Sequence, residues 1–330
     1  MDVEPASSNR FATSASDRRV VVMTGATSGF GAHTLSLLAA EPATRVIIGA
    51  RGRGRAAPEG VEILPLDLAS LASVRAFADA VVVRLGDARI DVLILNAGLR
   101  GSSAEQRSED GFGLTFAVCH LAHYLLARLF LPRIADGGRL VITSSNMHNP
   151  PFRRLAPKGI EIEEWAHPTP NGSGTGVRSY CASKLCNLMT AQSLARLPEV
   201  RSRRIDVVAF NPGLTGGTSG GDATLMQKIA VRVIMATLFP LLRLFRPEFY
   251  MNSPEHSGRI FADVARGVIA PPDGGVYVSL VKGVPTFPAP SDLARDRDGQ
   301  ERLWRASAAM VGLPEISGTI PANSQQEQLQ

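Results

Sequence analysis

The chain has 330 residues, 45% of them hydrophobic and 20% charged, with a formal net charge of +5. These are the proportions of an ordinary globular protein with material for a sizeable core, and they exclude a disordered chain. The positive charge is spread over scattered arginines with no aromatic interleaving, which argues against a nucleic-acid surface, and the length suits one large α/β domain or two smaller ones.

The N-terminal MDVEPASSNRFATSASD lacks an apolar run, so residues 1–18 are expected to form a polar disordered tail rather than a signal peptide. RVVVMTG (19–25) reads as a first strand and leads through TGATSGFG, Thr24 to Gly31, into a helical pattern at about 30–41. Glycines between strand and helix permit a tight turn and a close approach of backbone to phosphate, and the helix N-terminus offers free N–H groups. Thr24, Gly25, Thr27, Ser28, Gly29, Phe30 and Gly31 are therefore cofactor candidates.

RVIIGA (45–50) reads as the second strand. A dinucleotide site that prefers NAD carries an acid there for the ribose 2′-hydroxyl, whereas this chain has GARGRGR. Arg51, aided by Arg53, suits a 2′-phosphate, so NADP(H) is the expected cofactor. Further strands are expected at VEILPLDL (61–68), DVLILNAG (91–98), RLVITSS (139–145), IDVVAFNPG (205–213) and GVYVSL (275–280). Helical patterns cover about 70–85, 112–134, 179–197, 223–238, 254–267 and 298–312.

This alternation predicts a doubly wound Rossmann fold of the α/β class, a central parallel sheet of about seven strands flanked by helices. A single oxidoreductase domain is expected over 19–314, followed by a disordered tail at 315–330. Ligands of such folds bind beyond the carboxyl ends of the strands. There stand the Gly-rich loop, Asp67 with Leu68, Asn96 with Ala97 and Gly98, Ser145, and Pro212 with Gly213. Two irregular segments after strands, 146–177 and 214–253, are expected to close over a pocket, the second as a substrate lid.

The apolar run at 229–245 is broken by Arg232, Pro240 and Arg243 and does not make an uninterrupted spanning helix. LMQKIAVRVIMATLFPLLRLF has apolar residues on more than one helix face, which leaves room for contact with a ligand or a peripheral membrane contact. Cys119, Cys181 and Cys186 form no CxxC pair and no even set, as expected of free thiols in a reducing, cytoplasmic compartment. His120 and His123 lack a completing ligand cluster, so no metal site is expected. A homodimer is an open arrangement that no motif encodes.

Chemistry is expected from RSYCASKLCNLMT (178–190), where Tyr180 and Lys184 stand four apart and so share a helix face. A phenol has an ordinary pKa of about 10. An ammonium beside it, with the positive charge of an oxidised nicotinamide, favours the phenolate and makes the pair a tunable general acid. Ser145, with Ser144 beside it, offers a second hydrogen bond to the substrate oxygen.

Taken together, TGATSGFG, DL at Asp67–Leu68, NAG at Asn96–Gly98, TSS at Thr143–Ser145, YCASK at Tyr180–Lys184 and NPG at Asn211–Gly213 make the chain resemble the short-chain dehydrogenase/reductase family from about Val20 to Leu313. The resemblance implies that Tyr180 is the proton donor and that Lys184 is its electrostatic helper and holds the nicotinamide ribose. It also implies that Ser145 orients the substrate carbonyl, Asp67 contacts adenine, Asn96–Gly98 supports sheet and cofactor, and Pro212–Gly213 lines the nicotinamide pocket.

GFGLTFAVCHLAHYLL, SSNMH, SKLCNLMT and RLWRASAAMVGL are similar to the branch that contains retinol dehydrogenases and light-dependent protochlorophyllide reductases, which implies a bulky lipophilic substrate. Two departures stand out. Cys119 replaces the asparagine of an NHLGHF-like helix, and Leu214 stands where the protochlorophyllide reductases have a cysteine thought to serve in protonation. Leu214 has no transferable proton, so light-dependent pigment reduction ranks below carbonyl or alcohol chemistry. A cofactor-binding sensor without turnover is the rival from another class, and His148 is expected either to line the pocket or to cap a turn.

Overall fold

Successive side chains of β1 (Arg19–Thr24) go to opposite faces, Val20 and Val22 into one apolar cluster and Val21 and Met23 into the other. Both faces are covered, which is why this strand reads as a continuous apolar run. The computed structural model describes residues 18–52, 57–99, 101–152, 154–216, 250–272 and 274–315. After β1 come α1 (Gly29–Ala39), β2 (Thr44–Ala50), β3 (Glu62–Pro65), α2 (Leu71–Leu85) and β4 (Ile90–Leu95). Next are α3 (Leu114–Phe116), a π turn (Ala117–Leu121), α4 (Ala122–Phe130), β5 (Ile134–Thr143), α5 (Ile162–Ala166), α6 (Gly176–Arg196) and α7 (Pro198–Ser202). The chain continues with β6 (Asp206–Asn211), β7 (Leu214–Thr215), β8 (Met251–Asn252), α8 (Pro254–Arg266), β9 (Tyr277–Val281), β10 (Val284–Thr286), α9 (Asp292–Arg295) and α10 (Arg297–Met310).

The main sheet has the order β10-β9-β6-β5-β4-β1-β2-β3 and is parallel except for β10, which runs antiparallel to β9. Strand order reverses between β1 and β4, the switch point at which doubly wound sheets open a crevice. About seven strands were expected and eight are present; the extra one, β10, is a three-residue edge strand containing Pro285, which an edge position tolerates. The helical pattern at 112–134 contains the π turn, and the one at 179–197 starts earlier, at Gly176. The segment Leu114–Arg133 is long and apolar enough to cross a membrane, but it is mostly buried between the sheet and neighbouring helices, as a core helix is.

Aromatic packing fixes the start of α1 against the sheet. Phe210 of β6 stacks on Phe261 of α8 at 4.8 Å between centroids, and Phe30 meets Phe261 edge-on at 5.5 Å. The N-terminal tail through residue 17, Arg53, the pattern at 223–238, residues 217–249 of the expected lid and the C-terminal tail from 316 lie outside the described residues.

Candidate active site

The Gly-rich turn is built around missing β-carbons. Gly25 and Gly29 have φ of +66° and +55°. A Cβ on Gly25 would lie 2.6 Å from Ala97 Cα, and one on Gly31 would lie 2.1 Å from the Gly25 carbonyl oxygen. Ser28, the N-cap of α1, makes no side-chain capping bond and no acid stands in the first turn, which suits the helix end to an incoming phosphate. Arg51 is exposed directly after β2. Asp67, two residues past β3, is half-buried; its Oδ1 accepts from Ala69 N–H at 2.9 Å, while Leu68 is buried beside it.

Ser145, Tyr180, Lys184, Asn96, Phe30 and Pro212 border one cavity of about 550 Å³ at the carboxyl end of the sheet. Lys184 is buried and donates from Nζ to the Thr143 carbonyl at 2.9 Å, a carbonyl that also accepts from Asn187 Nδ2 at 3.0 Å. Its Nζ lies 5.4 Å from the centre of the Tyr180 ring. Ser144 faces the helix instead, donating to the Lys184 carbonyl at 2.9 Å. Ser145 Oγ accepts from Met147 N–H and donates to Asn146 Oδ1, both at 3.2 Å.

Beneath these groups, Asn96 spans two motifs. It donates from Nδ2 to the Gly25 carbonyl at 2.9 Å and accepts at Oδ1 from Thr143 Oγ1 at 2.8 Å. Cys119, on the π turn, accepts from Leu99 N–H at 3.3 Å and donates to the Leu99 carbonyl at 3.4 Å, so a thiol makes both main-chain bonds there. His120 pairs with Ser307 Oγ at 2.8 Å, and burial pushes its pKa down to about 3, with His123 adding to the effect. His148 donates from Nδ1 to the Ser145 carbonyl at 2.7 Å, so its role is to cap the turn. Burial pushes the Cys181 thiol up to about 12 and raises that of Cys186, as expected of core thiols. Among the described residues, no group of three His, Cys, Asp or Glu side chains could hold a metal.

The outer wall is apolar. Met147, Pro151, Phe152, Leu155, Val177 and Leu214 border the cavity, with Phe152 58% and Val177 51% exposed. The Pro212 carbonyl accepts from Thr215 Oγ1 at 3.0 Å and Ser257 Oγ at 3.3 Å, and Gly213 turns with φ of +66°. Parallel pairing of β7 with β8 sets Leu214 beside Met251 and Thr215 beside Asn252.

The sequence reading did not single out Asn187, Leu99, Thr215 or Ser257. Thr143 was part of a motif, but its partner role is played by a main-chain carbonyl, which no residue type signals. Segment 146–177 was marked as a pocket cover without its contact residues, and six of its side chains, Asn146, Met147, Pro151, Phe152, Leu155 and Val177, border the cavity.

A family model described as short chain dehydrogenase matches residues 19–157. Dehydrogenase/reductase SDR family member 13 of Bos taurus is 32% identical over 311 residues, covering 89% of this chain and 74% of that protein. The chloroplastic protochlorophyllide reductase of Pisum sativum is 30% identical over 325 residues, covering 89% of this chain and 78% of the relative. The solved structure of a short chain dehydrogenase from Burkholderia cenocepacia in complex with NADP has a TM-score of 0.56 and 21% identity, covering 82% of this chain and 99% of that one. At that identity the likeness concerns the fold.

Proposed function

The chain belongs to the short-chain dehydrogenase/reductase family, and on that premise we propose that it transfers hydride between NADP(H) and the carbonyl or alcohol carbon of a bulky lipophilic substrate. The observation that carries this reading is the convergence of Tyr180, Lys184 and Ser145 on one cavity whose outer wall is apolar. β-carbons at Gly25 and Gly31 would collide with Ala97 and with the Gly25 carbonyl, so the turn packs closely on the sheet, and its glycines ahead of the uncapped N-terminus of α1 fit a pyrophosphate. Arg51 fits a 2′-phosphate, Asp67 the adenine end and Pro212–Gly213 the nicotinamide end, and a solved relative of the same fold carries NADP. When bound, the nicotinamide supplies or takes up the hydride.

The chain's own residues handle the proton. In the reducing direction Ser145 turns its hydroxyl proton from Asn146 to the substrate oxygen, and Tyr180 gives that oxygen its proton as negative charge develops. Lys184 commits one N–H to the Thr143 carbonyl, which aims the ammonium. The positive charge stabilises the phenolate left behind, and the remaining N–H groups serve the ribose. The same reading takes residues 19–314 as one catalytic domain and places the protein in the cytoplasm, where free buried thiols such as these persist.

A second reading, reduction of a tetrapyrrole double bond, draws on the protochlorophyllide reductase relative. Leu214, which borders the cavity without a transferable proton, ranks it lower. The sensor reading, drawn from Cys119 and the altered lid, ranks lower because a protein that only binds would not need Tyr180, Lys184 and Ser145 on one cavity, and Cys119 makes paired bonds to the Leu99 main chain.

NADPH oxidation against a panel of retinoid, steroid and aliphatic carbonyls tests the proposal. The expected result is turnover on bulky members with a KM for NADPH about tenfold below that for NADH. NADH preference, or tight NADPH binding without turnover, contradicts it, and hydride transfer to protochlorophyllide only in light favours the second reading.

A further inference from the structure

Counting donors and acceptors around Thr24 determines the state of a buried histidine. Thr24 Oγ1 accepts from Asn96 N–H at 3.0 Å and Ala97 N–H at 3.2 Å, which uses both lone pairs of a hydroxyl. Its next partner, His123 Nε2 at 3.2 Å, can only receive the Thr24 proton. Across the ring, Nδ1 lies 3.2 Å from the Cys119 carbonyl oxygen, an acceptor without a proton, so Nδ1 donates. Both contacts require one species, the neutral imidazole protonated on Nδ1. Burial, followed by the Lys184 ammonium, pushes the His123 pKa down to about 3, which agrees. His120, similarly buried, is the other titratable neighbour.

The two groups joined by this ring belong to different parts of the site. Thr24 opens the Gly-rich turn. Cys119 lies on the π turn, where backbone pairing reaches five residues, as in the bond from Ala122 N–H to the Ala117 carbonyl. A Cβ built on Gly98 would lie 3.4 Å from Cys119 Sγ and 3.8 Å from Lys184 Nζ, so thiol and ammonium pack about the same glycine. We propose that His123 is a positioning residue, a neutral bridge from Thr24 to the Cys119 carbonyl that keeps the Asn96–Leu99 floor in register with both the phosphate turn and Lys184. The proposal rests on the reductase reading for its effect on turnover, and on hydrogen-bond chemistry alone for the state of the ring.

His123→Phe keeps a ring and removes both bonds. In the folded variant, kcat is expected to fall about tenfold and NADPH affinity, read by cofactor fluorescence, to weaken about tenfold, while the KM for the carbonyl stays within twofold. A folded variant with kcat and NADPH affinity both within twofold of the parent overturns the proposal. Nitrogen NMR of the parent protein's histidine side chains provides an independent measurement should the variant not fold. His123 is expected as the Nδ1–H tautomer from pH 8 to about 5.5, and an Nε2–H tautomer or protonation near pH 6.5 overturns the proposal. If the parent reduces no carbonyl, the reductase reading fails, and NADPH affinity and tautomer still judge His123.

Discussion

On the floor of the cleft, Thr24, Asn96, Thr143 and Lys184 are joined by hydrogen bonds of 2.8 to 3.2 Å among buried or half-buried groups. On the outer wall, Met147, Phe152, Leu155 and Val177 meet the cavity with apolar atoms, and two of them are more than half exposed. The contrast separates two tasks. Buried polar groups that satisfy one another hold a single geometry, because leaving any of them unpaired costs about 1–3 kcal/mol. Dispersion and apolar burial are non-directional, so the wall can accept a range of lipophilic shapes without disturbing the floor.

The largest break in that contrast is Tyr180→Phe, which removes the proton donor while keeping its ring. Turnover on the preferred carbonyl should fall about 1,000-fold, with NADPH binding nearly unchanged, as measured by steady-state kinetics and cofactor fluorescence.

Acid should attack the floor before the wall. His120 and His123 have folded-state pKa values near 3, far below about 6.5 in the unfolded chain. Between these values the unfolded state binds more protons. The stability they contribute together is complete above about pH 6.5 and is lost as pH falls, by roughly 1–3 kcal/mol per pH unit for the pair. Urea titrations from pH 7.5 to 5 should show this slope, and a flat profile would show that neither ring is held neutral.

Phe152→Ala tests the wall. It should raise the KM for a bulky carbonyl about tenfold and leave kcat for a small aliphatic one unchanged. The smallest effect is expected of Cys119→Asn. An amide can donate and accept at Leu99 as the thiol does, so kcat should stay within about threefold.

Motifs in which side chains act directly were legible in the sequence. The turn Thr24–Gly31, Asn96–Gly98 and the Tyr180–Lys184 pair are local spacings whose residue types state their chemistry. The alternation of Val20, Val21, Val22 and Met23 likewise belonged to a strand covered on both faces. The π turn was hidden because its residues are as apolar as those of a regular core helix. β10 was hidden because Val284, Pro285 and Thr286 are too few to show a period. His123 was read only as a histidine outside any metal site, and it is buried; its two hydrogen bonds depend on Thr24, ninety-nine residues away, and on a main-chain carbonyl, which no spacing records.

The most direct measurement follows deuterium from NADPH labelled at nicotinamide C4. With the preferred carbonyl, label is expected on the carbinol carbon of the product, and its loss in parallel with turnover in Tyr180→Phe. NADPH oxidation that leaves the product unlabelled would contradict hydride transfer in this cleft.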